Sequence, residues 1–122
     1  MVKKIILDTN FIIYCIKYKI QIEKELNRTI IENYKIYIID KTLDELKKLL
    51  NDNKTKLYAK IALEICKSFK VIHTNKDKLV DSLIKENIDG DTIVGTNDKE
   101  LKKSLKCPIL VVRKRNHLEL SL

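Results

Sequence analysis

The sequence predicts an α/β fold, a three-layer α/β/α sandwich with a central, mainly parallel five-stranded sheet. Three observations carry that prediction. Five short apolar runs alternate with longer segments whose apolar residues recur at helical spacing. Such alternation calls for right-handed crossovers, which leave the strands parallel and place helices on both faces. The chain has 122 residues, 44% of them hydrophobic, enough for one core, and its two Gly and one Pro argue against linkers. The expected organisation is a single domain over 1–122, with a basic, irregular tail from about residue 113.

Lys3–Leu7 is the first strand, ending in the continuous run Ile5-Ile6-Leu7 that suits a strand buried on both faces. Asp8 closes it. Phe11–Tyr18 and Ile20–Glu32 follow at helical period, the second through Ile20, Ile22, Leu26, Ile30 and Ile31. Lys35–Ile39 is the second strand. Thr42–Asn51 is helical, with Leu43, Leu46 and Leu50 on one stripe. Lys56–Ser68 is a further helix, carrying Leu57, Ile61 and Ile65. Val71–His73 is a short third strand, and Asp77–Asn87 is a helix through Leu79, Leu83 and Ile84. Thr92–Thr96 is the fourth strand, entered through Gly90, and Asp98–Lys106 is the helix behind it. Pro108–Val112 is the fifth strand, with Pro at its first position, where a missing N–H does least harm.

Composition narrows the function. No apolar run reaches the roughly 18 residues of a membrane span. The opening apolar run is too short for a signal peptide and is interrupted by Asp8, so the expected setting is cytoplasmic. Cys15, Cys66 and Cys107 are scattered, without CxxC or zinc-ligand spacing, and read as buried thiols of a reducing compartment. The net charge of +8 and pI ≈ 9.3 favour a polyanionic partner, above all nucleic acid. The surplus is concentrated late, where Lys99, Lys102, Lys103, Lys106, Arg113, Lys114 and Arg115 meet only Glu100 and Glu119.

Acidic residues recur at strand ends and helix starts. Asp8 follows the first strand, Asp44 and Glu45 lie early in the helix after the second, Asp77 and Asp81 lie in the helix after the third, and Asp98 follows the fourth. In a parallel sheet these positions share one edge, where ligands of open α/β sheets bind. Carboxylates crowded there repel one another, and a divalent cation with a preference for oxygen ligands, Mg²⁺ or Mn²⁺, is the natural neutraliser. Each acid also has a plainer explanation. First-turn acids favour the helix macrodipole, Asn97 with Glu100 approximates a capping box over Asp98, Asp44 and Glu45 can pair with Lys48 at the surface, and Asp89 and Asp91 flank a Gly90 turn. Glu45 points roughly away from the Leu43–Leu46–Leu50 stripe, which fits either solvent or an exposed cleft. Asp8 is the hardest to explain without a site.

Ile6-Leu7-Asp8-Thr9-Asn10-Phe11-Ile12-Ile13 resembles the first motif of PIN-domain nucleases. Thr42-Leu43-Asp44-Glu45-Leu46-Lys47-Lys48-Leu49 resembles their second, and Thr96-Asn97-Asp98-Lys99-Glu100-Leu101 their fourth. The third motif, usually a helix-starting Asp about seventeen residues before the fourth, falls on Asp81 in Leu79-Val80-Asp81-Ser82. Relatives often pair two acids there; this chain has Val80 before Asp81, and Asp77 lies one turn upstream as a possible substitute. The closing Pro108–Arg113 segment looks like the terminal strand of small single-domain members of archaeal or toxin type.

The resemblance implies a PIN-like sandwich and an Mg²⁺- or Mn²⁺-dependent endoribonuclease, with Asp8, Glu45, Asp81 and Asp98 as catalytic metal ligands. Thr9, Asn10, Thr96 and Asn97 would orient them or a ligand water, with the reading that Asn10 and Thr96 only satisfy backbone groups left open. Lys99, Lys102, Lys103, Arg113, Lys114 and Arg115 would hold the RNA backbone, and Tyr14, Tyr18, Tyr34, Tyr37 and Tyr58 could stack on unpaired bases, although helical spacing favours core or rim packing for most of them. The partners implied are RNA, a second copy of the chain, and an antitoxin or a ribosome-assembly factor; a role in rRNA processing and a toxin role both fit. The alternative is a catalytically weak or inactive PIN-like RNA-binding module. A phosphatase with a strand-end Asp nucleophile wants a second Asp two residues on, where this chain has Asn10. A dinucleotide-binding domain wants a glycine-rich turn after the first strand, and none follows.

Overall fold

The computed structural model describes residues 2–121. Its six-stranded sheet runs in the order β3 (Lys70–Ile72), β2 (Asn33–Ile39), β1 (Val2–Leu7), β4 (Thr92–Gly95), β5 (Ile109–Arg113), β6 (His117–Ser121). The first five are parallel, as expected, and β6 returns antiparallel along β5. The helices are α1 (Thr9–Lys17), α2 (Ile22–Thr29), α3 (Asp40–Leu49), α4 (Lys56–Cys66), α5 (Val80–Glu86) and α6 (Lys99–Ser104). No helix is long and apolar enough to cross a membrane among the described residues.

β1 lies at the centre, and its alternating side chains feed two cores. Ile5 and Leu7 face one, with Phe11, Ile12 and Cys15 of α1, Leu26 of α2, Leu46 of α3 and Ala62 of α4. Ile6 faces the other, with Val80, Leu83 and Ile84 of α5 and Leu101 of α6. This two-sided burial is why β1 is apolar throughout its second half.

The structure corrects the sequence reading at four places. The tail beyond residue 113 is ordered as β6, because Leu118 and Leu120 alternate with His117 and Glu119 and turn onto the α1–α2 side. The helix carrying Asp81 begins at Val80, leaving Asp77 in an exposed loop. The Ile20–Glu32 helix is limited to Ile22–Thr29, with Ile31 98% exposed. The buried face of α4 is Ala59, Ala62 and Cys66, so small residues admit close packing while Leu57 and Ile61 point outward. All three thiols are free, Cys15 and Cys66 buried and Cys107 half-buried. Burial pushes Cys15 up to about 12 and Cys66 to about 11.

α2 also covers the side of β6. The Glu25 carboxylate accepts from the Leu118 N–H at 2.9 Å, and the Arg28 guanidinium donates to the Leu118 C=O at 2.7 Å. Arg28, bonded to Glu25 at 3.0 Å, holds that carboxyl below its ordinary pKa.

Candidate active site

The Leu7–Gly95 register brings the ends of β1 and β4 level, so Asp8 and Thr96 leave the sheet side by side. The Asp8 N–H donates to the Gly95 C=O at 3.0 Å, and the Thr96 hydroxyl donates to Asp8 Oδ2 at 3.2 Å. Asp8 is only 5% exposed. Gly95 permits this closeness: a Cβ there would lie 2.7 Å from Leu7 Cδ2 and 3.1 Å from the Phe11 ring. A glycine inside a strand is the usual mark of such an approach.

Glu45 does turn inward. Its Oε1 accepts from the Thr9 hydroxyl at 2.6 Å, and the Thr9 hydroxyl oxygen lies 3.0 Å from that of Thr42. A threonine hydroxyl carries one proton, so Thr9 donates to the carboxylate and accepts from Thr42. The chain Thr42–Thr9–Glu45 thus fixes the α3 carboxylate against the start of α1. Asp81, in the first turn of α5, completes a pocket of about 270 Å³ with Asp8, Thr9, Asn10 and Glu45, walled by Leu49, Leu79 and Val80. No cationic side chain lines it among the described residues. Burial, then the charge of Asp81, then that of Glu45, drive the Asp8 carboxyl up from 3.8 to about 6, against the opposing hydrogen bonds from Thr96 and the Thr9 N–H.

Asp98 stands apart from this pocket. It is exposed and caps α6, its Oδ1 accepting from the Leu101 N–H at 3.0 Å. Its link to Asp8 is indirect: the Asp98 N–H donates at 3.0 Å to the Thr96 hydroxyl that bonds Asp8. Asn97 directs its amide to β5, donating to the Val112 C=O at 3.2 Å and accepting from the Val112 N–H at 2.9 Å. It extends the β4–β5 pairing instead of touching a carboxylate. Among the described residues no three His, Cys, Asp or Glu side chains already converge to chelating geometry.

The basic residues divide. Lys99 starts α6 next to Asp98, whereas Lys102 and Lys103 line a separate cleft at the start of β5, the other end of the strands. Arg113 ends β5, and Lys114 and Arg115 form the turn to β6.

Asp40 escaped the sequence reading, although it ends the Ile36–Ile39 run just as Asp8 ends Ile5–Leu7. It is 7% exposed and accepts from Thr74 N–H and Thr74 Oγ1, both at 2.7 Å, and from Lys41 N–H at 2.9 Å. Burial opposes ionisation, but these donors outweigh it and its pKa lies below the ordinary value. Asp44 pairs with Lys76 at 2.9 Å, not with Lys48, and Lys41 Nζ donates to the Lys78 C=O at 2.6 Å. These three ties strap the loop before α5 onto α3, and so set Asp81 relative to Glu45. Asp89 is a turn residue, accepting from the Asp91 N–H at 2.9 Å.

A model of the PIN-like domain family matches residues 5–117. Ribonuclease VapC4 of Methanocaldococcus jannaschii is 35% identical over 127 aligned positions, covering 96% of this chain and 95% of its own. Among solved structures, the PIN domain endonuclease Utp24 superposes with a TM-score of 0.79 at 30% identity, covering 96% of this chain and 90% of that one. A chain of VapBC2 from Rickettsia felis, bound to a DNA fragment from their promoter, shares the fold with a TM-score of 0.57 at 20% identity, over 91% and 98% of the two chains. The agreement runs from the first strand to the last, and this chain belongs to the PIN-like domain family, with a ribonuclease and an endonuclease among its relatives.

Proposed function

We propose that the protein is a metal-dependent endoribonuclease that hydrolyses RNA phosphodiester bonds. One observation supports this above the others: carboxylates from three separate elements meet at one pocket with no cation, and Asp8 is held there with its pKa raised to about 6. Hard oxygen donors under mutual repulsion fit Mg²⁺ or Mn²⁺. Asp8, Glu45 and Asp81 would hold the ion, with Asp98 joining from the neighbouring β4 end. When bound, such an ion supplies Lewis acidity toward a phosphodiester. The chain itself does the positioning. Thr96 orients Asp8, Thr9 orients Glu45, the Asp40 strap sets Asp81, and Leu49, Leu79 and Val80 form one apolar wall of the pocket. Lys99, Arg113, Lys114 and Arg115 would hold the RNA backbone without reading bases.

The test is cleavage of a labelled RNA with Mn²⁺, Mg²⁺ or EDTA, for the wild type and Asp8→Asn. Activity that needs the metal and vanishes in the variant is expected; cleavage surviving EDTA, or an equally active variant, overturns the reading. The cap made by the Asp98 carboxylate favours a second reading, an inactive RNA-binding module. Calorimetry separates the two, since that module would bind RNA but not Mn²⁺. A small reading frame directly beside this gene would favour an antitoxin partner over a ribosome-assembly one.

A further inference from the structure

Four non-glycine residues have positive φ among the described residues, and all four are basic: Lys19, Lys76, Lys114 and Arg115. Three of them lie in two neighbouring segments, Lys19 at the end of α1 and Lys114 and Arg115 in the β5–β6 turn, whose Asn116 shares a pocket with Lys19. Lys19 ends α1 in a Schellman motif, its N–H bonded to the Ile16 C=O at 3.1 Å and the Ile20 N–H to the Cys15 C=O at 2.8 Å. Its φ of 56° is the conformation that glycine usually fills. Lys114 and Arg115 occupy the β5–β6 turn at φ 53° and 56°, closed by the Asn116 N–H on the Arg113 C=O at 3.2 Å. Asn-Gly is the natural pair for such a turn. Both motifs therefore carry charge where a folding optimum would place Gly or Asn, a mark of function over stability.

Of these residues Arg115 reaches Tyr18, a half-buried ring at the end of α1. The Arg115 guanidinium lies 5.2 Å from its ring centroid and Lys17 Nζ 5.6 Å. Tyr14 lies 4.6 Å away, tilted by 49°. Beside them a pocket of about 240 Å³ is lined by Lys19, Ile20, Gln21, Lys24, Glu25 and Asn116, its two cations outnumbering the one carboxylate. Asn10, Tyr14 and Tyr18 recur every four residues on α1, so one helix face leads from the carboxylate pocket to this cluster over roughly 12 Å.

We propose that the Tyr18 cluster is a docking platform for single-stranded RNA, on which one unpaired base stacks while Lys19, Lys114 and Arg115 hold the flanking phosphates. Stacking on a ring flanked by cations suits unpaired bases of any sequence. A duplex offers no free base face, and an acidic peptide has no use for the ring. This inference rests on the nuclease reading, because it takes the α1 face as the route by which RNA reaches the site.

The experiment is fluorescence anisotropy of the full chain with a labelled, unstructured RNA of about twelve nucleotides, in EDTA across a salt series. Tyr18→Ala should weaken binding about tenfold, while Tyr18→Phe stays within about twofold. Lys114→Asn with Arg115→Gly should raise the melting temperature, weaken binding, and make the log–log salt slope shallower by about 1.4, the value for two lost phosphate contacts. That variant keeps the proposal testable if Tyr18→Ala does not fold. An unchanged slope and affinity in the turn variant overturns the platform, as does equal loss with Tyr18→Phe or an equal dependence of duplex RNA or of poly-glutamate on Tyr18. Wild type that cleaves RNA with Mn²⁺ while these variants bind normally overturns the platform alone. Wild type that binds through the platform but never cleaves overturns the nuclease reading alone.

Discussion

Replacing Asp8 by Asn should make the metal-free protein more stable. The side chain keeps its size, and its amide oxygen still accepts from the Thr96 hydroxyl, now 3.2 Å from Asp8 Oδ2. What disappears is a buried charge between Asp81 and Glu45. The folded state raises the Asp8 pKa from 3.8 to about 6, a separation worth about 3 kcal/mol. The sign follows from which state binds the proton more readily. Above about pH 6 the folded protein carries the full penalty of the ionised carboxyl. As pH falls from 6 toward 3.8 the folded form takes up a proton first and the penalty disappears; below 3.8 both states are protonated and Asp8 contributes nothing. Asn never carries the charge. Thermal melts in EDTA at neutral pH should therefore place Asp8→Asn roughly 10 °C above wild type, with the gap closing toward pH 4. Added Mn²⁺ should reverse the order, stabilising the wild type by mass action and leaving the variant unmoved. Parallel pH profiles for the two proteins would refute the buried-charge argument, whatever their activities.

Three further predictions concern the supports of the site. Gly95→Ala drives a Cβ to 2.7 Å from Leu7 Cδ2; urea titration should show a loss of about 1–3 kcal/mol, and an unchanged midpoint would mean that β4 tolerates the shift. Asp40→Ala strands the donors of Thr74 and Lys41 that now meet the carboxylate at 2.7–2.9 Å. It should cost about 2–4 kcal/mol and raise amide exchange through the loop before α5, whereas protection equal to wild type would remove the strap from the account. Thr9→Val leaves Glu45 without its donor and the Thr42 hydroxyl without an acceptor. Calorimetry should find Mn²⁺ affinity lowered about 10- to 100-fold with the fold intact; undiminished affinity would show that Glu45 needs no orienting partner.

The sheet was legible because β1 to β5 are short apolar runs set between helical segments, a pattern few other architectures share. β6 was missed because Leu118 and Leu120 supply only two apolar positions amid charged residues, and its strand character depends on pairing with β5. The same limit applied to α5, whose start is set by the strap from α3 and not by a local cap. At the site, Asp8 was conspicuous as a charge after a buried strand. Asp40 carried the same local signal and went unread. Asp98 looked equivalent to Asp8 in sequence, yet one N–H of its own helix takes its Oδ1. Spacing identifies which acids share an edge; it says nothing of which neighbours have already claimed their oxygens.

The cover that α2 places over β6 has a consequence for assembly. An uncovered outer strand is a template on which another chain can add a strand of its own. Here Glu25 and Arg28 occupy both backbone groups of Leu118, the second residue of β6. At the far side of the sheet β3 offers three residues, too few to hold an incoming strand in register. A protein partner is thereby turned from strand addition toward contacts with side chains, and such contacts can be altered one residue at a time without disturbing the sheet.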